Sequence, residues 1–319
     1  RYIKPYKEYL TIFFIDIFNN KNYIINLKLK TKKMKIRDVF IALLVPIILG
    51  FGFVIAKPAM QYFPPYLLMG MRFTIPALIL VWFFPIPKAL FLDLFKVSFI
   101  GSALQYGLTY TGLNIIDASS AVLLIQLEVP FGIIIAFFLL KEIPTLKNIV
   151  GLVIAFIGVF ILTGAPNLEG KYIGVLLTLS GAFTWALGAV MAKPLSKQIG
   201  AFALMTWLCV FSGPMLLIVS LIFDGNPMVY FLSANLNSWL TVIFLGFFMQ
   251  PIGYAAWYYV LGKYPVNKVM PVLLILPVTG LITSIFLLGE DPPSQVFLGG
   301  AIIISGVSLI LFKNTKKKR

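Results

Sequence analysis

Glu128 sits in the middle of VLLIQLEVPFGIII, residues 122–135, with Gln126 two positions before it and Pro130 two positions after. A carboxylate in so apolar a helix suits three tasks: holding an ammonium group, carrying a proton, or completing a buried ion pair. Counted from Asp117, it lies about 16 Å below one bilayer surface, roughly half of a ~30 Å hydrocarbon core. A charge at that depth costs at least ~2.5–3.5 kcal/mol on insertion scales, so a functional role is the first expectation. Pro130 has no N–H to offer the carbonyl of Gln126, which leaves an acceptor free beside the carboxylate.

Arg72, in the stretch GMRF, enters the apolar region from the same side at a depth of about 9 Å. A fork-shaped guanidinium is suited to a fixed carboxylate partner. Structural pairing with Glu128 is the preferred reading, and contact with the carboxylate of a cargo is the sharper alternative. Tyr106 and Tyr110, like Tyr254 and Tyr258, are four apart and share a helix face, with Trp257 beside the second pair. These aromatics suit either an outer and an inner constriction of a transport path or an interfacial belt facing lipid. Gln105 and Gln250, polar within apolar runs, favour a wet interior. Trp185 joins the candidate substrate-binding set, although packing is its commoner use.

Several chemistries are excluded. The chain has no histidine and a single cysteine, Cys209, so His-based catalysis, Cys–His dyads, the usual zinc sites and disulfides are all ruled out. No catalytic residue, cofactor or metal site is expected, and the chain does not read as an enzyme.

The elements that must hold these residues are membrane helices. Hydrophobic residues make up 60% of the 319 and charged residues only 12%, with a mean hydropathy of +0.96. That composition lies far from a soluble domain. Ten apolar segments are expected near 38–57, 66–84, 93–113, 117–140, 146–164, 171–192, 200–223, 236–261, 266–288 and 294–312. With the N-terminus placed inside, every Lys and Arg except Lys57, Lys171 and Arg72 falls on the cytoplasmic side. The net charge of +15 is therefore a topology signal and not a nucleic-acid footprint, and both termini are expected in the cytoplasm. Residues 1–35 form a basic tail whose first 33 residues lack Gly, Ala and Val, and Met34 is the expected physiological start. Residues 313–319 form a second basic tail.

The chain also repeats. A shift of 148 pairs Tyr106 with Tyr254, Tyr110 with Tyr258, Gly132 with Gly280, Glu142 with Glu290, Pro144 with Pro292, Gly151 with Gly299 and Gly158 with Gly306. A shift of 136 pairs Gly52, Ala56, Lys57 and Pro58 with Gly188, Ala192, Lys193 and Pro194. Two five-helix copies, residues 36–164 and 171–312, must then lie in opposite orientations, because five is odd. Inverted repeats with a midplane site are the architecture of alternating-access carriers. Glu128 maps onto Leu276, so the acid is present in one copy only.

GMRF at 70–73, the pair LLKEIP and LLGEDP with its downstream Gly-x6-Gly, and FTWALGAVMAKP resemble the drug/metabolite transporter superfamily, of EamA type. IQLEVPFG and GYAAWYYVLGKYP are similar to the exporters of amino-acid metabolites in that group. The resemblance implies an all-α membrane fold of ten helices and a secondary carrier of small polar metabolites. It also implies export across the inner membrane, a small-molecule substrate and the lipid bilayer as partners, and protons as a candidate coupling ion. Another substrate class, or a channel, is the alternative on the same fold. The scaffold expectations are three. Lys57 and Lys193 snorkel to opposite surfaces. Glu142 and Glu290, each two before a proline, cap helix N-termini. The glycines at 151/158 and 299/306 let backbones approach.

Overall fold

The computed structural model describes residues 34–140, 146–264, 272–273 and 275–311. Regular structure among them is helical throughout. In chain order the helices are α1 (Ile36–Ala59), α2 (Pro65–Phe83), α3 (Lys88–Ile115), α4 (118–140) and α5 (Leu146–Thr163). After a short turn come α6 (Tyr172–Ile199), α7 (Ala201–Phe223), α8 (Leu236–Lys263), α9 (Ile275–Leu288) and α10 (Ser294–Leu311). A short helix, Pro227–Ser233, joins α7 to α8. Among the described residues, α1, α2, α3, α5, α6, α7 and α8 are long and apolar enough to cross a bilayer, and α4, α9 and α10 are shorter apolar segments.

Proline and glycine explain most of the irregularities. Helix α4 tightens to a 3-10 turn at Ile125–Leu127 and resumes at Glu128, where the missing N–H of Pro130 leaves the 126 carbonyl without its usual donor. Helices α3 and α8 each contain a π-helical stretch, Phe99–Leu104 and Phe244–Tyr254, at positions related by the 148-residue shift. Both stretches lie beside the tyrosines singled out above. Only Gly200 separates α6 from α7, and its φ of +84° lets the chain reverse without a loop. Helix α6 runs on through Pro194 to Ile199, beyond the expected end at 192. A membrane helix tolerates such a proline when neighbouring groups satisfy the freed carbonyl.

Helix α5 packs on α10 and α2 on α7; α3 packs on α6, and α8 on α1; α4 packs on α6, and α9 on α1. Small residues set the closest approaches. A Cβ added to Gly299 would lie 2.8 Å from the carbonyl oxygen of Gly158, and one on Gly306 would lie 2.6 Å from that of Gly151. The glycine expectation therefore describes the α5/α10 seam. Gly101 and Gly188 meet in the same way between α3 and α6.

Candidate functional site

Helices α1, α3, α4, α6 and α8, with Leu276 in the first turn of α9 and Leu273 before it, surround a cavity of about 40 Å³ near the middle of the molecule. Its walls follow the repeat. Tyr106 and Tyr254, Ile125 and Leu273, and Glu128 and Leu276 are pairs 148 residues apart, and both members of each pair line it. Leu49 and Trp185, related by the 136-residue shift, line it as well. Phe53, Gln105, Thr109, Tyr110 and Met249 complete the wall. Glu128 is the one ionisable carboxyl among these residues, and it keeps part of its surface uncovered, facing the cavity. Gln105 donates to Thr109 Oγ1 at 3.0 Å, while its own Oε1 is buried with no described partner.

Arg72 stands behind this wall and is fully buried. It does not form the expected ion pair with Glu128. Its Nε and Nη2 donate to Gln250 Oε1 at 3.2 and 3.0 Å, and Nη1 and Nη2 donate to the hydroxyls of Tyr110 and Tyr106 at 3.0 and 3.2 Å. The guanidinium carbon lies 4.5 Å from the ring centroid of Tyr106 and 5.5 Å from that of Tyr254. Neutral acceptors and π-faces thus take the place of the carboxylate. Gln250, read in the sequence only as a polar residue in an apolar span, is the main partner of Arg72.

The tyrosine pairs are not two separated constrictions. Tyr106 and Tyr254 touch, with ring centroids 6.2 Å apart, and all four tyrosines are buried rather than facing lipid. Trp257 lies behind the wall with its ring 5.9 Å from Trp185, and Tyr258 packs against Tyr254 at 6.4 Å. Glu128, Gln105, Tyr106, Tyr110, Tyr254 and Trp185 therefore share one cavity, Arg72, Trp257 and Tyr258 back its wall, and Gln126 is buried outside it.

Two scaffold expectations take a different form. Lys57 does not snorkel; its ammonium donates to the carbonyls of Leu113 and Ile116 at the C-terminal end of α3, with the Leu113 contact at 3.0 Å. Glu290 caps a helix, but not the one it precedes. Its two oxygens accept from the backbone N–H groups of Ala118 and Ser119, at 2.9 and 3.0 Å, at the start of α4. Glu142 lies outside the described residues.

The sequence reading missed Asp38. This buried acid pairs with Lys263 Nζ at 2.7 Å and accepts hydrogen bonds from the hydroxyls of Tyr259 and Tyr264. The hydrogen bond to the Asp38 carboxylate holds the Tyr264 phenol above its ordinary pKa. A signal was present in the repeat: the 136-residue shift places Gly174 opposite Asp38, so this acid too occurs in one copy. Among the described residues no group of acids or cysteine could hold a metal ion.

Apolar helices of bilayer length around a small, mostly apolar cavity with one carboxyl in its wall define a multi-pass membrane protein. The chain belongs to the EamA-like transporter family, which matches residues 37–164 and 172–312. Proteins from Salmonella typhimurium and Escherichia coli, each named a probable amino-acid metabolite efflux pump, are 29% identical over 296 residues and 30% identical over 288. Both alignments cover 88% of this chain and 96% of the relative. A solved crystal structure matches 86% of this chain and 96% of its own at a TM-score of 0.59 and 18% identity, a likeness of fold alone. Membership in a transporter family means a small-molecule cargo and a bilayer setting, and not an enzyme.

Proposed function

We propose that the protein is a secondary-active carrier that exports amino acids or amino-acid-like metabolites across the cell inner membrane by alternating access. It is built from ten spans in two inverted five-helix repeats, residues 36–164 and 171–312, with both termini in the cytoplasm. Three observations support the architecture. The six packing pairs named above map onto one another when each helix is replaced by the one five places later, although α4 on α10 and α6 on α8 have no such counterpart among the described residues. Tyr106 and Tyr254 are repeat mates in contact, as residues on the axis relating the repeats would be. The Lys and Arg distribution favours the orientation.

The observation that carries the functional reading is Glu128 facing a cavity opposite its own repeat mate, Leu276. A scaffold built by duplication has no need to bury an acid in one copy alone. In this reading Glu128 holds the cargo ammonium or, between cargoes, a proton. Arg72 acts through its neighbours. It donates to the oxygens of Tyr106 and Tyr110; the Tyr106 O–H is shared with Tyr254, and the Tyr110 O–H is left to donate into the cavity. A phenol accepting from a guanidinium is also a stronger donor, which suits a cargo carboxylate. The names of the bacterial relatives point to the same class of cargo.

The cavity favours a carrier over a channel. Its 40 Å³ holds a few waters at most, while ligand pockets run from roughly 300 Å³ upward. This conformation is contracted, and cargo enters only after one side opens. A counterflow screen of amino acids and their metabolites in proteoliposomes tests the reading. Saturable flux stimulated by counter-substrate is expected, and flux without saturation would point to a channel.

A further inference from the structure

The two repeats place different chemistry at a pair of equivalent seams. At one of them the C-terminal end of α3, from the first repeat, meets the N-terminal end of α6, which opens the second. There Gly174 packs so closely that an added Cβ would lie 2.7 Å from Ile116 Cγ2 and 2.9 Å from Ile115 Cβ. The repeat relation converts this seam into the junction of α8 with α1: Gly174 becomes Asp38, Ile115 becomes Lys263 and Ile116 becomes Tyr264. Side chains that pack as glycine against isoleucine on one side are thus an acid against lysine and tyrosine on the other.

Every group at that polar joint is committed. Asp38 Oδ2 takes Lys263 at 2.7 Å and the Tyr264 hydroxyl, and Oδ1 takes Tyr259 at 3.2 Å and Arg37 Nε at 3.6 Å. The backbone N–H of Lys35 donates to the Tyr264 oxygen at 3.3 Å. Lys263 keeps a third of its side chain exposed, so water reaches the tie from its outer edge. At the other seam the side chains in contact are apolar, and Lys57 holds the backbone carbonyls of Leu113 and Ile116 beside them. An ion pair with tyrosine donors can exchange its partners for water and re-form.

The joint also ties two helices of the cavity wall at one end. Asp38 precedes Leu49 of the cavity wall by eleven residues of α1, and Lys263 follows Tyr254 by nine residues of α8. Both helices therefore carry the tie about 14–16 Å from the cavity, close to one membrane surface. We infer that Asp38, with Lys263, Tyr259 and Tyr264, is the gate that closes the cavity on this side. Which side this is rests on the topology proposed above, where it is the cytoplasmic one and cargo enters past Asp38.

The test is solvent access to the cavity wall. Cys209 is the single cysteine and is fully buried, so Cys209→Ala gives a clean background. Phe53→Cys reports the cavity, and Arg37→Cys, in a parallel protein, reports which face carries the gate. A membrane-impermeant methanethiosulfonate is applied separately to each face of oriented vesicles. Asp38→Asn and Lys263→Gln are each expected to raise Phe53→Cys labelling about tenfold from the face that labels Arg37→Cys. Tyr264→Phe, which removes one donor and no charge, is expected to give a smaller rise in the same direction. The charge swap Asp38→Lys with Lys263→Asp is expected to return labelling toward the parent rate. Parent-like labelling in Asp38→Asn, Lys263→Gln and Tyr264→Phe, with each variant monodisperse on size exclusion, would overturn the gate. External labelling of Arg37→Cys, with the same tenfold rise from outside, would overturn the topology and leave the gate standing.

Discussion

Tyr106 and Tyr254 are 148 residues apart in sequence, equivalent in the two repeats, and in edge-to-face contact at 6.2 Å. In the inverted-repeat arrangement proposed above, equivalent residues touch where the axis relating the repeats passes between them. The cavity they line is therefore the place where a duplicated chain can break its own symmetry, and Glu128 against Leu276 is where it does so.

Glu128→Leu copies the residue that the second repeat already carries at this position. It removes a carboxyl that is costly to place in an apolar surrounding, so the variant is expected to fold with an unchanged or raised thermal midpoint. Thermal unfolding in detergent, followed by tryptophan fluorescence, checks this. A midpoint lowered by several degrees would mean that Glu128 is structural.

Arg72→Lys keeps the charge but loses the fork that reaches Gln250, Tyr106 and Tyr110 together. Leaving buried acceptors without donors costs about 1–3 kcal/mol. The thermal midpoint in detergent is expected to fall by several degrees. Under the proposed relay through the phenols, the cargo concentration at half-maximal flux also rises, which a concentration series in proteoliposomes measures.

Gly299→Ala tests the α5/α10 seam, where the new methyl would lie 2.8 Å from both the Gly158 carbonyl and the Leu162 nitrogen. Neither backbone atom can move aside without shifting a helix, and overpacking of this kind costs typically 1–3 kcal/mol. Fluorescence-detected size exclusion is expected to show a smaller monodisperse peak than the parent.

The helices and the repeat were legible in the sequence because hydropathy and spacing are local or periodic signals. The cavity was legible in part for the same reason. Gln105, Tyr106, Glu128 and Tyr254 stood out as polar or aromatic residues in apolar runs, and the structure brings them together. Partner choice was not legible. Arg72 lies 178 residues from Gln250 and Glu290 lies 172 from Ala118, so these bonds depend on how the two repeats interlock. The expected Arg72–Glu128 pair failed because opposite charge alone ignores neutral acceptors and π-faces, which satisfy a buried guanidinium without a carboxylate. Asp38 was overlooked because an acid in the first turn of a helix reads as ordinary dipole compensation.

Glu290→Gln would keep the shape of the side chain at the start of α4 but remove the charge facing its amides. Charge at a helix N-terminus contributes about 0.3–1 kcal/mol, up to ~2 when partly buried. A modest drop in thermal midpoint is expected, with cargo specificity unchanged in the counterflow screen.

Transport by Glu128→Gln across the neutral pH range, beside the parent in matched proteoliposomes, tests the central claim most directly. The account predicts that the parent shows saturable, pH-dependent counterflow of an amino-acid metabolite. It predicts that the Gln variant, equally folded and equally incorporated, loses most of that flux and that what remains is flat with pH. Parent-like flux with parent-like pH dependence in Glu128→Gln would contradict it.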